Sequence, residues 1–238
     1  MASPESIVAA VDRLFTARDL AGATVVVSAG GTREPIDAVR VIANRSSGKQ
    51  GYALAADAAR RGASVTLVST VDLPTPAGVT VVTVETAAQM QEAMERLAPA
   101  SDVVIMAAAV ADFRPITAAD NKLKKRDGVP EIVLEPTPDI LAGLGAHKPA
   151  GQVLVGFAAE TDDLQANAQR KLAAKQLDLI VANDVSAPGT GFRHDTNAVT
   201  IFMADSSAEV VPLADKRTIA AAVLDHVVSI RAAAERTN

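Results

Sequence analysis

Apolar positions along this chain follow two rhythms. Short runs rich in β-branched residues occur at Val25–Ser28, Ser64–Ser69, Val79–Val84, Asp102–Met106, Val153–Phe157 and Asp178–Ala182. Runs of this length, bounded by glycine, proline and polar residues, predict strands buried on both faces. Between them apolar residues recur three and four apart. Tyr52, Ala55, Ala56 and Ala59 predict a helix over Gln50–Arg61, stopped by Gly62. Thr86 caps a helix to about Leu97, Pro138–Leu144 reads as a short helix, and another runs from Thr161 to about Ala174. Ile219, Val223, Val227 and Ile230 mark a closing amphipathic helix, and Ser3, Pro4 and Glu5 open one over residues 4–16. Alternating strands and helices predict a parallel sheet covered on both faces, an α/β architecture of three layers.

Two stretches break this alternation. Ala107 to Asp127 is loop-like and ends in the charged run Asn121-Lys-Leu-Lys-Lys-Arg-Asp127, with Glu131–Leu134 as a short strand beyond it. Thr196–Met203 and Glu209–Pro212 read as an antiparallel pair across the Asp205-Ser-Ser turn. With no internal repeat or low-complexity linker, residues 1–238 are expected to form a single domain with an antiparallel excursion.

Composition narrows the function. At 49% hydrophobic, 238 residues suffice for a substantial core. A net charge of −5 argues against a general nucleic-acid binder or a polybasic membrane protein. The absence of cysteine excludes thiolate metal sites and a cysteine nucleophile on this chain. His147, His194 and His226 are too scattered for a ligand-spaced pair. The start lacks a signal-peptide pattern and no apolar run is long enough to span a bilayer, so a cytoplasmic protein is expected.

The candidate chemistry gathers after the first strand, where Ala29-Gly-Gly-Thr-Arg33 leads to Asn44-Arg-Ser-Ser-Gly-Lys-Gln-Gly51. This places backbone N–H groups, hydroxyls and a helix start near the carboxyl end of a strand, where anionic groups bind. Neither common nucleotide fingerprint fits. The turn lacks G-x-G-x-x-G and the second strand ends Ser69-Thr70 without an acid, while Gly48-Lys49 is followed by Gln50 rather than Ser or Thr. Other polar or glycine-rich loops follow strands at the same edge. Lys122-Leu-Lys-Lys125 is either a solvated charge run or a flap delivering cations to a polyphosphate. Phe157 is either core or a base-stacking platform, Lys171 and Lys175 share a helix face, and Asn183-Asp184 directly follows a strand. Phe113 and Phe192 also fall in or beside these loops.

Ser28-Ala-Gly-Gly-Thr-Arg-Glu-Pro35, Asn44-Arg-Ser-Ser-Gly-Lys49, Ala107-Ala-Ala-Val-Ala-Asp112, Lys122-Leu-Lys-Lys125, Gly156-Phe-Ala-Ala-Glu-Thr161 and Ala182-Asn-Asp-Val185 stand in this order. Together they resemble phosphopantothenoylcysteine synthetase of the bacterial, CTP-dependent type, from about Thr24 to the final helix. Gly31 departs from it, where proline is more often expected. The resemblance implies a Rossmann-like sheet whose antiparallel excursion serves a homodimer. It also implies a ligase that joins 4′-phosphopantothenate and L-cysteine through an acyl-cytidylate. Lys122, with Mg²⁺ on the triphosphate, would neutralise the leaving pyrophosphate, and Asn44 would stabilise the intermediate. Arg40, Asn44, Ser46, Ser47, Gly48 and Ala108 would meet phosphopantothenate. Asp112, Lys122, Pro138, Asp139, Ile140, Leu141, Phe157, Lys171 and Lys175 would meet CTP.

No protein ligand for the metal ion is marked. In many bacteria the synthetase is fused to a flavin-dependent decarboxylase; no such half, and no flavin, is expected here, whether the chain is free-standing or an excised domain. The competing class is a non-catalytic or redox dinucleotide-binding protein, against which the missing glycine spacing and acid argue. A synthetase of the same fold using ATP is separated only by the resemblance.

Overall fold

The computed structural model describes residues 17–125, 128–160, 164–184 and 196–237. The expected helix over 4–16, the helix start at Thr161, Phe192, and Arg126 and Asp127 of the charged run lie outside them. Eight strands form one sheet: β1 (Thr24–Ala29), β4 (Ser64–Ser69), β5 (Val79–Thr83), β6 (Val103–Met106), β9 (Val153–Glu160), β10 (Leu179–Asp184), β11 (Thr196–Met203) and β12 (Ala208–Asp215). Their order is β12-β11-β10-β9-β6-β1-β4-β5. From β5 to β10 every pairing is parallel; β11 is antiparallel to both of its neighbours. Strand order reverses between β1 and β6, the switch point at which open α/β sheets bind ligands.

The apolar runs work as the pattern requires. Val25 and Val27 of β1 face a core with Leu54 and Ala58 of α1 (Lys49–Arg60) and Ile219 and Val223 of α5 (Lys216–Thr237). Val26 faces the opposite core, with Met90 and Met94 of α2 (Ala87–Leu97) and Leu172 of α4 (Leu164–Ala174). Val103 and Ile105 against Val104 and Met106, and Leu179 and Val181 against Ile180 and Ala182, divide in the same way. A strand buried on both faces therefore needs no polar alternation. Met90 and Met94 are wholly buried, and truncating either to alanine is expected to cost about 2–5 kcal/mol. Thr86 closes a full capping box with Gln89 at the start of α2. At the other end of α1, buried Arg61 bonds Asp57 at 3.0 Å and Asp225 of α5 at 2.5 Å, tying the two helices of one layer together.

The antiparallel pair expected at 196–212 exists, but it extends the main sheet rather than leaving it. Residues between strands instead form two small hairpins: β2 (Arg33–Pro35) with β3 (Val41–Ala43), and β7 (Phe113–Pro115) with β8 (Leu134–Pro136). β2, β3 and β7 arise in stretches read as loop. Strands of three residues are too short for a period-two signal, and β8 lies well beyond β7 in the chain. The short strand expected at Glu131–Leu134 is displaced to Leu134–Pro136 because its register follows Phe113–Pro115. The short helix α3 spans Ile140–Ala146, starting later than Pro138 because Asp139 is its cap. Buried Glu34 accepts from the Ala87 amide at 2.8 Å, pinning β2 to the start of α2. No helix among the described residues is long and apolar enough to cross a membrane.

Candidate active site

The loops after β1 and β6 zip together at the switch point. Ser28 and Thr32 are fully buried, and their hydroxyls accept from the Ala108 and Ala111 amides at 3.1 and 2.9 Å. The Ala109 amide donates to the Gly30 carbonyl at 2.8 Å. A small hydroxyl residue at each position thus fixes the path of the alanine-rich loop, Ala107–Ala111, without bulk. A Cβ at Gly31 would stand 2.5 Å from the Asn44 carbonyl oxygen. The bare glycine, where the resemblance led us to expect proline, lets the Asn44 backbone close over the turn. Asn44 then donates its amide to the Val110 carbonyl at 2.9 Å, joining the two loops. Gly48 caps α1 with φ of 74° and no side-chain bond to the helix start, a left-handed conformation that glycine adopts without strain.

These loops form one wall of a cleft of about 740 Å³, which reaches across the sheet edge to α3 and α4. On the far side the Thr137 amide donates to the Asp112 carbonyl at 2.9 Å and its hydroxyl to the Ala111 carbonyl, so the Pro138 turn is strapped to the β6 loop. Asp139 accepts from the Ala142 amide at 3.0 Å, and Lys175 contacts its two carboxylate oxygens at 3.0 and 2.8 Å. Partial burial alone would raise the Asp139 pKa. The Lys175 and Ala142 hydrogen bonds, with the charges of Lys175 and Lys171, outweigh it and hold the carboxyl below its ordinary value. Phe157 is half-buried: it packs against the α1–α5 core and also lines the cleft, so the two readings of this residue are compatible.

Asn44, Ser46, Ser47, Gly48, Ala108, Asp112, Pro138, Asp139, Ile140, Leu141, Phe157, Lys171 and Lys175 all line this one cleft. Arg40 and Lys122 do not; Arg40 belongs instead to a latch on the segment that carries Lys122. The Asp37 side chain is fully buried and pairs with the Arg40 guanidinium at 2.8 Å. It also accepts from the amides of Val39 and Arg40 at 2.8 Å and of Leu123 at 3.1 Å. Burial would raise its pKa, but these amides and Arg40 hold it below the ordinary carboxylate value. Arg40 also donates to the Leu123 carbonyl, so the arginine clasps the segment carrying exposed Lys122. Sequence reasoning did not assign Gln50, Asn197 or Lys216, which also line the cleft. Asn197 and Lys216 reach this edge only because β11 reverses direction, a fact no local pattern carries.

Fold and site define a doubly wound α/β protein with a cleft at the switch point of its sheet. Residues 20–230 match the DNA/pantothenate metabolism flavoprotein C-terminal domain, and the chain belongs to that family. It is 48% identical over 232 residues to the coenzyme A biosynthesis bifunctional protein CoaBC of Bacillus subtilis (strain 168), covering 95% of this chain and 57% of the relative. It is 45% identical over 237 residues to a cysteine/cysteine sulfinic acid decarboxylase of an unknown prokaryotic organism, covering 97% of this chain and 66% of that protein. The crystal structure of the C-terminal domain of CoaBC is similar at a TM-score of 0.77 and 40% identity, over 90% of this chain and 98% of that one. The chain thus spans just over half the length of the bifunctional relative.

Proposed function

We propose that this chain is a ligase of coenzyme A biosynthesis that joins 4′-phosphopantothenate and L-cysteine, activating the acid with CTP. The observation that carries the reading is the convergence, in one cleft at the switch point, of every candidate residue except Arg40 and Lys122. The CoaBC relatives and the solved CoaBC C-terminal domain support the pathway.

In the first step a carboxylate oxygen of 4′-phosphopantothenate attacks the α-phosphorus of CTP and pyrophosphate leaves. In the second the cysteine amine attacks the acyl carbon, a C–N bond forms, the bond to CMP breaks and one proton is released. Phosphoryl transfer of this kind depends on positioning and charge neutralisation. Lys122 on the latched flap supplies a cation for the pyrophosphate, and its clasp by Asp37 and Arg40 supports a flap registered against the cleft. Arg40 contributes to phosphopantothenate binding from the same position. The Asn44 amide, bonded to the Val110 carbonyl within one wall of the cleft, is placed to hold the acyl group. Backbone groups of Pro138–Leu141 read the base, in a turn stiffened by the Asp139 cap and Lys175. Among the described residues no three His, Asp or Glu side chains gather to hold a metal ion, so in this reading Mg²⁺ arrives on the triphosphate.

The working form is a cytoplasmic homodimer. By resemblance the antiparallel pair β11–β12 serves this dimer, and its Val210 and Leu213 are 73% and 56% exposed. Val39, Val41, Phe113, Ile116, Val133 and Leu134 on and beside the two hairpins, between 44% and 64% exposed, add apolar surface suited to a second copy. The bifunctional relatives support a partner activity, fused or associated, which by resemblance is the flavin-dependent decarboxylase. The test is pyrophosphate release from CTP, Mg²⁺ and 4′-phosphopantothenate, with and without L-cysteine, beside an ATP control. CTP-selective release that turns over fully only with cysteine is expected. No release with either nucleotide from folded protein overturns the ligase, and ATP-selective release overturns the nucleotide assignment.

A further inference from the structure

One wall of the cleft takes no part in the roles above. Gln50 in the first turn of α1, Asn183 at the end of β10, Asn197 at the start of β11 and Lys216 at the start of α5 line it together. Gln50 Nε2 donates to the Lys216 carbonyl at 3.2 Å. That bond ties the two helix starts together and settles the orientation of the amide, because a flipped side chain would set two acceptors against each other. The end left over is Oε1. Among the described residues it is the buried side-chain oxygen or nitrogen without a hydrogen-bond partner, a condition native structures rarely leave unexplained.

Asn197 complements it. This residue is only 9% exposed. Its Oδ1 accepts from the Ala198 amide at 3.1 Å, leaving Nδ2 without a partner among the described residues. The register of β11 against β12 shifts between Asn197 and Val199, the kind of irregularity that re-aims a side chain beside a site. The wall therefore presents a buried acceptor on Gln50 and an open donor on Asn197, with Lys216 lining the cleft beside them. Ionised phosphate fits this poorly, since its oxygens only accept and would face an oxygen that only accepts. An α-amino acid brings both complements: an N–H for Gln50 Oε1 and a carboxylate for Asn197 Nδ2.

We propose that Gln50 and Asn197 form the subsite for the incoming amino acid, L-cysteine in the ligase reading on which this rests. The test is steady-state kinetics of the intact chain, varying CTP, 4′-phosphopantothenate and the amine in turn, with cysteamine as the nucleophile lacking a carboxylate. Gln50→Met keeps the volume and removes the acceptor, together with the Nε2 bond to Lys216. It should raise the KM for L-cysteine about 5- to 10-fold relative to the KM values for CTP and 4′-phosphopantothenate, the scale of one hydrogen bond. Asn197→Asp sets a carboxylate against a carboxylate. It should lower kcat/KM for L-cysteine about tenfold or more while cysteamine loses much less.

A KM shift falling on 4′-phosphopantothenate or CTP instead overturns the subsite, as does an equal loss for cysteine and cysteamine in Asn197→Asp. If Asn197→Asp does not fold, the Gln50→Met comparison decides alone. Pyrophosphate release by the wild type without any amine tests the ligase reading separately, because that half-reaction contains no amino acid.

Discussion

Gly51→Ala sets two opposed effects against each other at the seam between α1 and β1. Within a helix the exchange should stabilise by about 0.5–1 kcal/mol, since glycine pays more backbone entropy than alanine. Here, however, the new Cβ would lie 2.6 Å from the Ala29 Cβ and 2.8 Å from the Ser28 carbonyl oxygen. Ser28 and Ala29 are fully buried in β1 and cannot move aside. Carbon atoms pack at about 3.5–4.0 Å, so the helix must lift by about 1 Å. Overpacking of this kind costs about 1–3 kcal/mol, which cancels or exceeds the propensity gain.

The lift also carries Gly48 and the Ser46–Ser47 loop away from the cleft, and a displacement of about 1 Å can cost about 10²-fold in rate. Gly143→Ala is the control: it sits within α3, with nothing within 4 Å of the added Cβ. Thermal unfolding and pyrophosphate release should be measured on both. Gly143→Ala should raise Tm by about 1–4 °C, whereas Gly51→Ala should leave Tm level or lower it and slow turnover. A Gly51→Ala protein as stabilised as the control, with normal turnover, would refute the close-packing account of this glycine.

Three further outcomes are expected. Asn44→Asp replaces the amide that donates to Val110; pyrophosphate release should persist while amide formation slows about 10²-fold, the scale of one lost donor to a developing charge, and a normal ratio of amide to pyrophosphate removes that role. Lys122→Gln should slow the pyrophosphate burst by a similar factor of about 10² with Tm little changed, because Lys122 is exposed; an undiminished burst takes Lys122 out of the mechanism. Asp139→Ala removes the α3 cap and should cost about 1 kcal/mol at neutral pH, with a few tenths more from the half-exposed pair with Lys175. Because the Asp139 carboxyl is held below 3.8 in the fold, its ionic share is fully present above that pH and fades as pH falls through the lower native value. Urea midpoints of wild type and variant should therefore converge only below about pH 3.8; a gap that narrows between pH 7 and 5 contradicts this assignment.

Much of the architecture was legible in the residues themselves. Runs such as Val25–Val27 and Val103–Met106 can only be strands covered on both faces, because every side chain in them must leave water. Thr86 with Gln89 announces a helix start through bonds made within one turn. The loops after β1 and β6 were legible as a site because glycines, hydroxyls and asparagine cluster where strands end.

What could not be read is everything set by partners distant in the chain. The hairpins β2–β3 and β7–β8 are too short and mixed to signal themselves, and the register of β8 exists only against β7. Arg40 could be picked out as a substrate cation, but its hold on Asp37 and on the Leu123 carbonyl, the second made across 83 residues, could not. Gln50, Asn197 and Lys216 come from three separate elements, and only the reversal of β11 brings the last two to the edge where α1 begins. Local patterns record burial and hydrogen bonds made within a turn or a strand. The convergence of a site depends on how strands are ordered and directed, and that is decided by tertiary packing.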